Sequence, residues 1–167
     1  YSSLALACVN AMVNNTACGL DTGDITTCIN INADDTVGMV GWFAPLIMPV
    51  KNKAQKLLIC ERKESQEFLS ESQIPEILPN CNIAIITATS LIDDKLDSLL
   101  EHTKNCREII ILGPSLPLIK DIFKPLNVSV LSGIQVVNNE KIKQLISHGY
   151  GMSHFKETVR KVNLKLN

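Results

Sequence analysis

Aromatic residues are scarce in this sequence, 4% of 167 positions, and neither sign of charge prevails: 16 Lys and Arg stand against 17 Asp and Glu, a formal net charge of -1. That balance removes the electrostatic case for nucleic acid or an anionic membrane as partner, because both are gathered by basic surfaces. So few aromatics also argue against the stacking platforms that read single-stranded nucleic acid. No run approaches the ~20 apolar residues of a membrane span. No basic segment followed by an apolar block opens the chain, as a secretory leader would require. Six cysteines at positions 8, 18, 28, 60, 81 and 106 include no CxxC pair. Cys60, Cys81 and Cys106 stand in or just before apolar runs, where a small buried thiol fits, so a reduced, cytoplasmic setting is expected. The even spacing of Cys8, Cys18 and Cys28 leaves a thiolate metal site open, although it matches no usual zinc pattern. The partners that remain are small, an organic molecule or a metal, and self-association stays open.

What is present is the composition of a folded chain, 46% apolar and 20% charged. Its length suits one compact domain with an appendage. The first residue is Tyr1, so the chain reads as a fragment or a processed form. From residue 36 onward, short β-branched runs alternate with longer amphipathic stretches, the pattern of a parallel sheet covered by helices. Strands are expected at 36–40, 56–61, 82–87, 108–112 and 128–131, nearly all apolar, as when both faces of a sheet are covered. Helices are expected at 45–54, 73–78, 93–105, 116–124 and 139–147. Asp93 and Asp94 would sit in the first turn of the third, against the positive end of its dipole. Asn139 would cap the last, with Ile142, Leu145 and Ile146 as its buried stripe. The fold class is therefore α/β, a Rossmann-like, mostly parallel sheet of about five strands with helices on both faces, over residues 36–167. Residues 1–35 read as a small-residue helix followed by a polar linker from 21 to 35.

In such sheets ligands lie at the carboxyl ends of the strands. After the first expected strand come Gly38, Gly41, Trp42, Phe43 and Pro45, two glycines that let a ligand near the backbone and a proline suited to a helix start. The full GxGxxG is absent, so the turn alone argues weakly for a dinucleotide. Glu61 ends the second strand twenty positions after Gly41, where an acid meets ribose hydroxyls in nucleotide-binding sheets; Arg62 beside it makes a solvated ion pair an equal alternative. Thr87, Thr89 and Ser90 form a hydroxyl cluster that can cap a helix or bind a polar edge. Gly113, Pro114 and Ser115 follow the fourth strand, and Ser132 and Gly133 end the fifth. His102 reads as solvated. His148 and His154 flank Gly149-Tyr150-Gly151 and read as a surface segment, since no second ligand stands at a metal-binding spacing.

Taken in order, Val37-Gly-Met-Val-Gly-Trp-Phe-Ala-Pro-Leu46, Glu61-Arg62, Leu78-Pro-Asn80, Ile86-Thr-Ala-Thr-Ser-Leu91 and Leu112-Gly-Pro-Ser-Leu-Pro117 resemble the heavy-metal chelation domain family, a family of unknown function. Ser132-Gly133 and Gly149-Tyr150-Gly151 continue the resemblance, which spans nearly the whole chain. It implies a Rossmann-like C-terminal domain preceded by a small domain resembling the N-terminal domain of enolase, with a site in the cleft between them. On that basis the chain begins inside the small domain's last helix, and Trp42 and Phe43 are candidates for the seam. Glu61 is the one acidic residue among the motifs and the one candidate metal ligand. A single carboxylate with hydroxyls and backbone amides suits an organic ligand, or a divalent metal brought within a chelate, better than a bare soft cation. The expected function is binding of a heavy metal, metal chelate or small molecule at the strand ends. The alternative is a nucleotide- or S-adenosylmethionine-dependent enzyme using the same pocket.

Overall fold

Both faces of the central strands are sealed, which is why their sequences barely alternate. The structure, a computed structural model, describes residues 1–15, 17, 19–62 and 68–166. In chain order its strands are β1 (Asp21–Thr22), β2 (Thr36–Val40), β3 (Lys56–Cys60), β4 (Ile83–Thr87), β5 (Glu108–Leu112), β6 (Val130–Val136) and β7 (Val159–Lys165). They form one sheet ordered β1-β7-β6-β5-β4-β2-β3. The five strands from β2 to β6 are mutually parallel, and β7 and β1 add antiparallel to one edge. Ile83, Ile85, Ile86, Ile110 and Ile111 have no exposed surface.

The helices divide between the faces. The connection from β2 to β3 is α2 (Ala44–Lys51), whose Leu46, Ile47 and Val50 pack on Val37, Met39, Ile83 and Ile85. The next three connections lie on the other face: α3 (Ile74–Ile77) between 3-10 turns, α4 (Leu96–Glu101) and α5 (Lys120–Phe123). The change of face follows from topology. The chain runs from β2 outward to β3 and then back across β2 to β4, so right-handed crossovers place successive helices on opposite sides. Numbered by appearance, the parallel strands stand in the order 2-1-3-4-5, not the 3-2-1-4-5 of the dinucleotide-binding arrangement. The switch point therefore lies between β2 and β4.

The sheet has seven strands where five were expected. Residues 159–165 were not among the expected strands, since Arg160, Lys161 and Lys165 interrupt their apolar pattern; the strand pairs antiparallel with β6 and β1 and buries Val162, Asn163 and Leu164. Residues 21–35 are not a linker. Asp21 and Thr22 pair with β7, Ile25 and Ile29 are buried under the sheet, and buried Asp35 accepts from Arg107 and from the Asn32 amide at 2.7 Å. Helix α1 (Ser2–Val13) precedes them and buries no residue of its own. It is fastened at its C-terminal end instead. Asn10 Nδ2 donates to the Ser115 carbonyl at 2.8 Å; Asn14, just past the helix, donates to the Leu116 carbonyl at 2.9 Å and accepts from the Leu118 amide at 2.8 Å.

Those bonds keep residues 115–118 out of a helix, so the helix expected at 116–124 is reduced to the single turn of α5, whose N-cap is Ile119 rather than Ser115. The helix expected at 93–105 starts at Leu96, because Asp94 takes a left-handed φ of +55°. In α6 (Asn139–Ser147) the cap is Asn138 rather than Asn139; its side chain accepts from the Lys141 amide at 3.0 Å. Ile142 is buried there while Ile146 stays exposed. Among the described residues no helix is long and apolar enough to cross a membrane.

Candidate functional site

A half-open cleft of about 490 Å³ lies at the carboxyl ends of β2, β3 and β4, over the switch point. Val40, Cys60, Ile74 and Leu99 form its apolar floor. The turn after β2 makes one wall. Gly41 has φ +99°, and a Cβ there would stand 3.0 Å from the Thr87 side chain, so the turn needs glycine both for its conformation and for its closeness to β4. Trp42 follows on the wall with 45% of its surface exposed, and Phe68 packs against it with ring centroids 4.7 Å apart and planes at 57°. Across the cleft, the Thr87 and Thr89 hydroxyls lie 3.0 Å apart, and Thr87 caps the 3-10 turn that begins there. Ser90 Oγ is turned inward and donates to the Thr87 carbonyl at 2.7 Å.

The mouth is charged and internally paired. Arg62, just past β3, donates from Nε to Glu71 at 2.8 Å and from an Nη to Asp93. Lys95 reaches the other Glu71 oxygen at 2.7 Å. Burial alone would push the Glu71 carboxyl up, but the bonds from Lys95 and Arg62 outweigh it and hold it below the ordinary value. The bonds of Arg62 to Glu71 and then Asp93 raise it further above its already high value. Glu61 lines the cleft too, with one carboxylate oxygen accepting from the Arg62 amide at 2.8 Å. Cys60 on the floor is a protonated thiol, since burial, then the neighbouring Cys81 and Glu71, push it up to about 11.

Of the strand-end residues expected to converge, Gly41, Trp42, Phe43, Glu61, Arg62, Thr87 and Thr89 do so. Gly38 does not. It lies buried within β2, where a Cβ would come 2.7 Å from Leu78 Cδ2 and 2.9 Å from Cys81 Sγ. Gly113, Pro114, Ser132 and Gly133 line a separate cavity of about 140 Å³ with Asp24 and Lys161, reached from the other side of the β2 turn. Ser115 lies with Pro114 along an apolar groove beneath α1. His148 and His154 flank Tyr150, with ring centroids 6.4 and 4.5 Å from it, away from the cleft. The sequence reading missed Glu71, Lys95 and Ser98, and took as solvated His102, which is half-buried on the cleft. Lys95, Ser98 and His102 stand at i, i+3 and i+7 from the N-cap of α4 to its C-cap, a stripe that faces the cleft, so the signal was present in their spacing. Among the described residues no group of three or more His, Cys, Asp and Glu side chains is placed to hold a metal; Cys18 lies outside those residues.

Two solved structures share this fold. A protein of unknown function from the DUF364 family of Pyrococcus horikoshii superposes with a TM-score of 0.89 at 23% identity, covering 97% of this chain and 67% of its own. Another from the same family, of Desulfitobacterium hafniense, gives a TM-score of 0.75 at 24% identity, covering 99% and 63%. In sequence, the chain is 23% identical over 175 residues to an uncharacterized protein of Methanocaldococcus jannaschii, covering 98% of this chain and 66% of that one. The chain thus spans about two thirds of the length of these relatives. The model of the DUF364 family, described as "Putative heavy-metal chelation", matches residues 24–165, nearly all of the sheet and its helices, and the chain belongs to that family.

Proposed function

We propose that this domain binds a small organic ligand in the cleft at the β2/β4 switch point, and that any heavy metal it handles arrives held within such a ligand. The observation that carries the reading is the convergence there of Gly41, Trp42, Glu61, Arg62, Thr87 and Thr89 around an apolar floor. A concavity with convergent polar groups at a topological switch is where α/β sheets take their ligands. Direct chelation of a soft cation fits the described residues poorly. Such an ion needs several thiolates or imidazoles, and the cleft offers one buried, protonated thiol and one half-buried histidine. A nucleotide is the second reading. It is favoured by Glu61, which directly follows the strand beside β2, where ribose hydroxyls are met in doubly wound sheets.

Amide chemical shifts followed during titration with a panel of organic acids, metal chelates, nucleotides and S-adenosylmethionine test the site. Binders are expected to move Gly41, Trp42, Thr87 and Thr89 together and leave Gly113, Ser132 and Gly133 in place; the reverse pattern overturns the assignment. Loss of nucleotide binding in Glu61→Gln would favour the second reading.

A further inference from the structure

We infer that the ligand of this cleft is a flat, conjugated carboxylic acid whose ring lies against Trp42 and whose carboxylate is taken by Arg62 and Lys95. This rests on the reading of the cleft as a binding site and specifies the chemistry it selects.

The first observation is the aromatic wall. Trp42 is the single tryptophan of the chain, and nearly half of it is exposed although it lines a concave site above an apolar floor. Phe68 meets it in a tilted contact, the arrangement in which the positive edge of one ring addresses the negative face of another. That contact fixes the indole, so a ligand ring stacking on it meets a surface ordered in advance and loses less side-chain entropy. An aliphatic ligand would gain burial from the same wall but not the face-to-face geometry.

The second observation is the way the charges are arranged. Glu71 offers one oxygen to Arg62 and the other to Lys95, at 2.8 and 2.7 Å, so two cations from different segments already converge on a single carboxylate. The acids are the better covered partners. Glu71 and Asp93 side chains are 30% and 32% exposed, against 53% for Arg62 and 49% for Lys95. What enters the mouth therefore meets the cations first. Exposed ion pairs of this kind are weak and readily exchanged. Asp93 is the partner to give way, since it pairs with Arg62 alone, whereas Glu71 is held by Arg62 and Lys95 together. A ligand carboxylate replacing it accepts the same charge-assisted bond from the guanidinium. Glu61 and the Thr87 and Thr89 hydroxyls remain for the opposite, polar edge of the ring. A chelating acid of this shape, with a ring nitrogen beside its carboxylate, would carry a metal on its own atoms and require no protein thiolate.

The probes are quinoline-2-carboxylate and its neutral isostere quinoline-2-carboxamide, titrated by calorimetry and by the fluorescence of Trp42. The acid is expected to bind saturably, to quench the emission, and to bind at least tenfold tighter than the amide. Lys95→Gln and Arg62→Gln should each cut the affinity for the acid about tenfold while changing that for the amide less than twofold; Trp42→Leu should weaken both. Melting temperatures of the variants show whether they remain folded. If Arg62→Gln unfolds the protein, Lys95→Gln alone decides. Equal affinity for acid and amide, or an acid affinity unmoved by Lys95→Gln, overturns the ligand class. If neither quinoline binds while another compound shifts the Gly41 and Thr87 amides, the class falls and the site stands. If no compound shifts those amides, both fall.

Discussion

Replacing Gly38 by alanine separates a packing glycine from a binding one. Read from the sequence, Gly38 and Gly41 belong to one ligand-binding turn. In the structure Gly38 is in mid-strand on the face covered by α3, and an added methyl would stand 2.7 Å from Leu78 Cδ2 and 2.9 Å from Cys81 Sγ. Neither neighbour can easily withdraw. Leu78 has no exposed surface, and Cys81 is buried with its thiol donating to the Ile77 carbonyl at 3.2 Å. Overpacking of this kind costs ~1–3 kcal/mol. Against it stands ~0.4–1 kcal/mol gained from a stiffer unfolded chain, since Gly38 does not occupy a glycine-only conformation. The net expectation is a loss of about 1–2 kcal/mol, which for a domain of this size lowers the melting temperature by about 5 °C. Urea denaturation should show a lower midpoint with an unchanged slope. Binding of any cleft ligand by the folded protein should be unaffected. A variant that melts at or above the wild-type temperature refutes the packing argument, and one that melts normally but no longer binds returns Gly38 to the site.

Asn14→Ala removes the buried side chain that serves both the Leu116 carbonyl and the Leu118 amide. With two backbone groups left unsatisfied the expected cost is about 2–4 kcal/mol, and hydrogen exchange should show α1 and residues 115–118 losing protection together while the β2/β4 end of the sheet keeps it. Cys60, Cys81 and Cys106 are pushed up from 9.0 to about 11, about 11 and about 12, chiefly by burial. The native protein at pH 8 should therefore alkylate readily at exposed Cys8 and at these three only on unfolding, as mapped by mass spectrometry. Because the folded state holds those protons more tightly, their contribution to stability is complete below pH 9 and declines as the pH rises from 9 towards 11, and a Cys60→Ala chain should show a shallower alkaline slope.

Much of the sheet could be read from local pattern, and the reason is burial on both faces. Ile83-Ala-Ile-Ile-Thr87 and Glu108-Ile-Ile-Ile-Leu112 are apolar without alternation, and they became strands within a residue of the expected bounds. Where charged residues interrupt a strand the signal failed. Val159-Arg-Lys-Val-Asn-Leu-Lys165 neither alternates nor runs apolar, since exposed Arg160 and Lys161 precede buried Val162, Asn163 and Leu164, and nothing marks it as a strand until its partner β6 is known. The helices were overestimated because their ends are set by distant groups. The grip of Asn14 on Leu116 and Leu118 keeps the start of the expected 116–124 helix non-helical, and no propensity of that segment reports it. In the same way Lys95, Ser98 and His102 became cleft residues only through the placement of α4 over β4, although their helical spacing was visible throughout.

The candidate site shows the same division between chemistry and topology. The sequence offers glycines after β2 and β5 and another at Gly133, read as the end of a fifth strand although it lies within β6, so local reasoning gathers them into one pocket. Strand order separates them. The chain leaves β2 for β3 on one side and returns to β4 on the other, and the diverging connections open a crevice between β2 and β4, with the end of β3 at its side. From β4 through β5 to β6 the chain advances steadily in one direction with its helices on one face, so no such divergence opens beside Gly113 or Gly133. Gly113 is instead packed against the next turn, where a Cβ would lie 3.2 Å from that of Ala88, and Gly133 against Leu118 at the same distance. Those two glycines serve close packing. Gly41, with its left-handed backbone at the switch point, is the one whose conformation shapes the cleft that Trp42, Arg62 and Thr87 line.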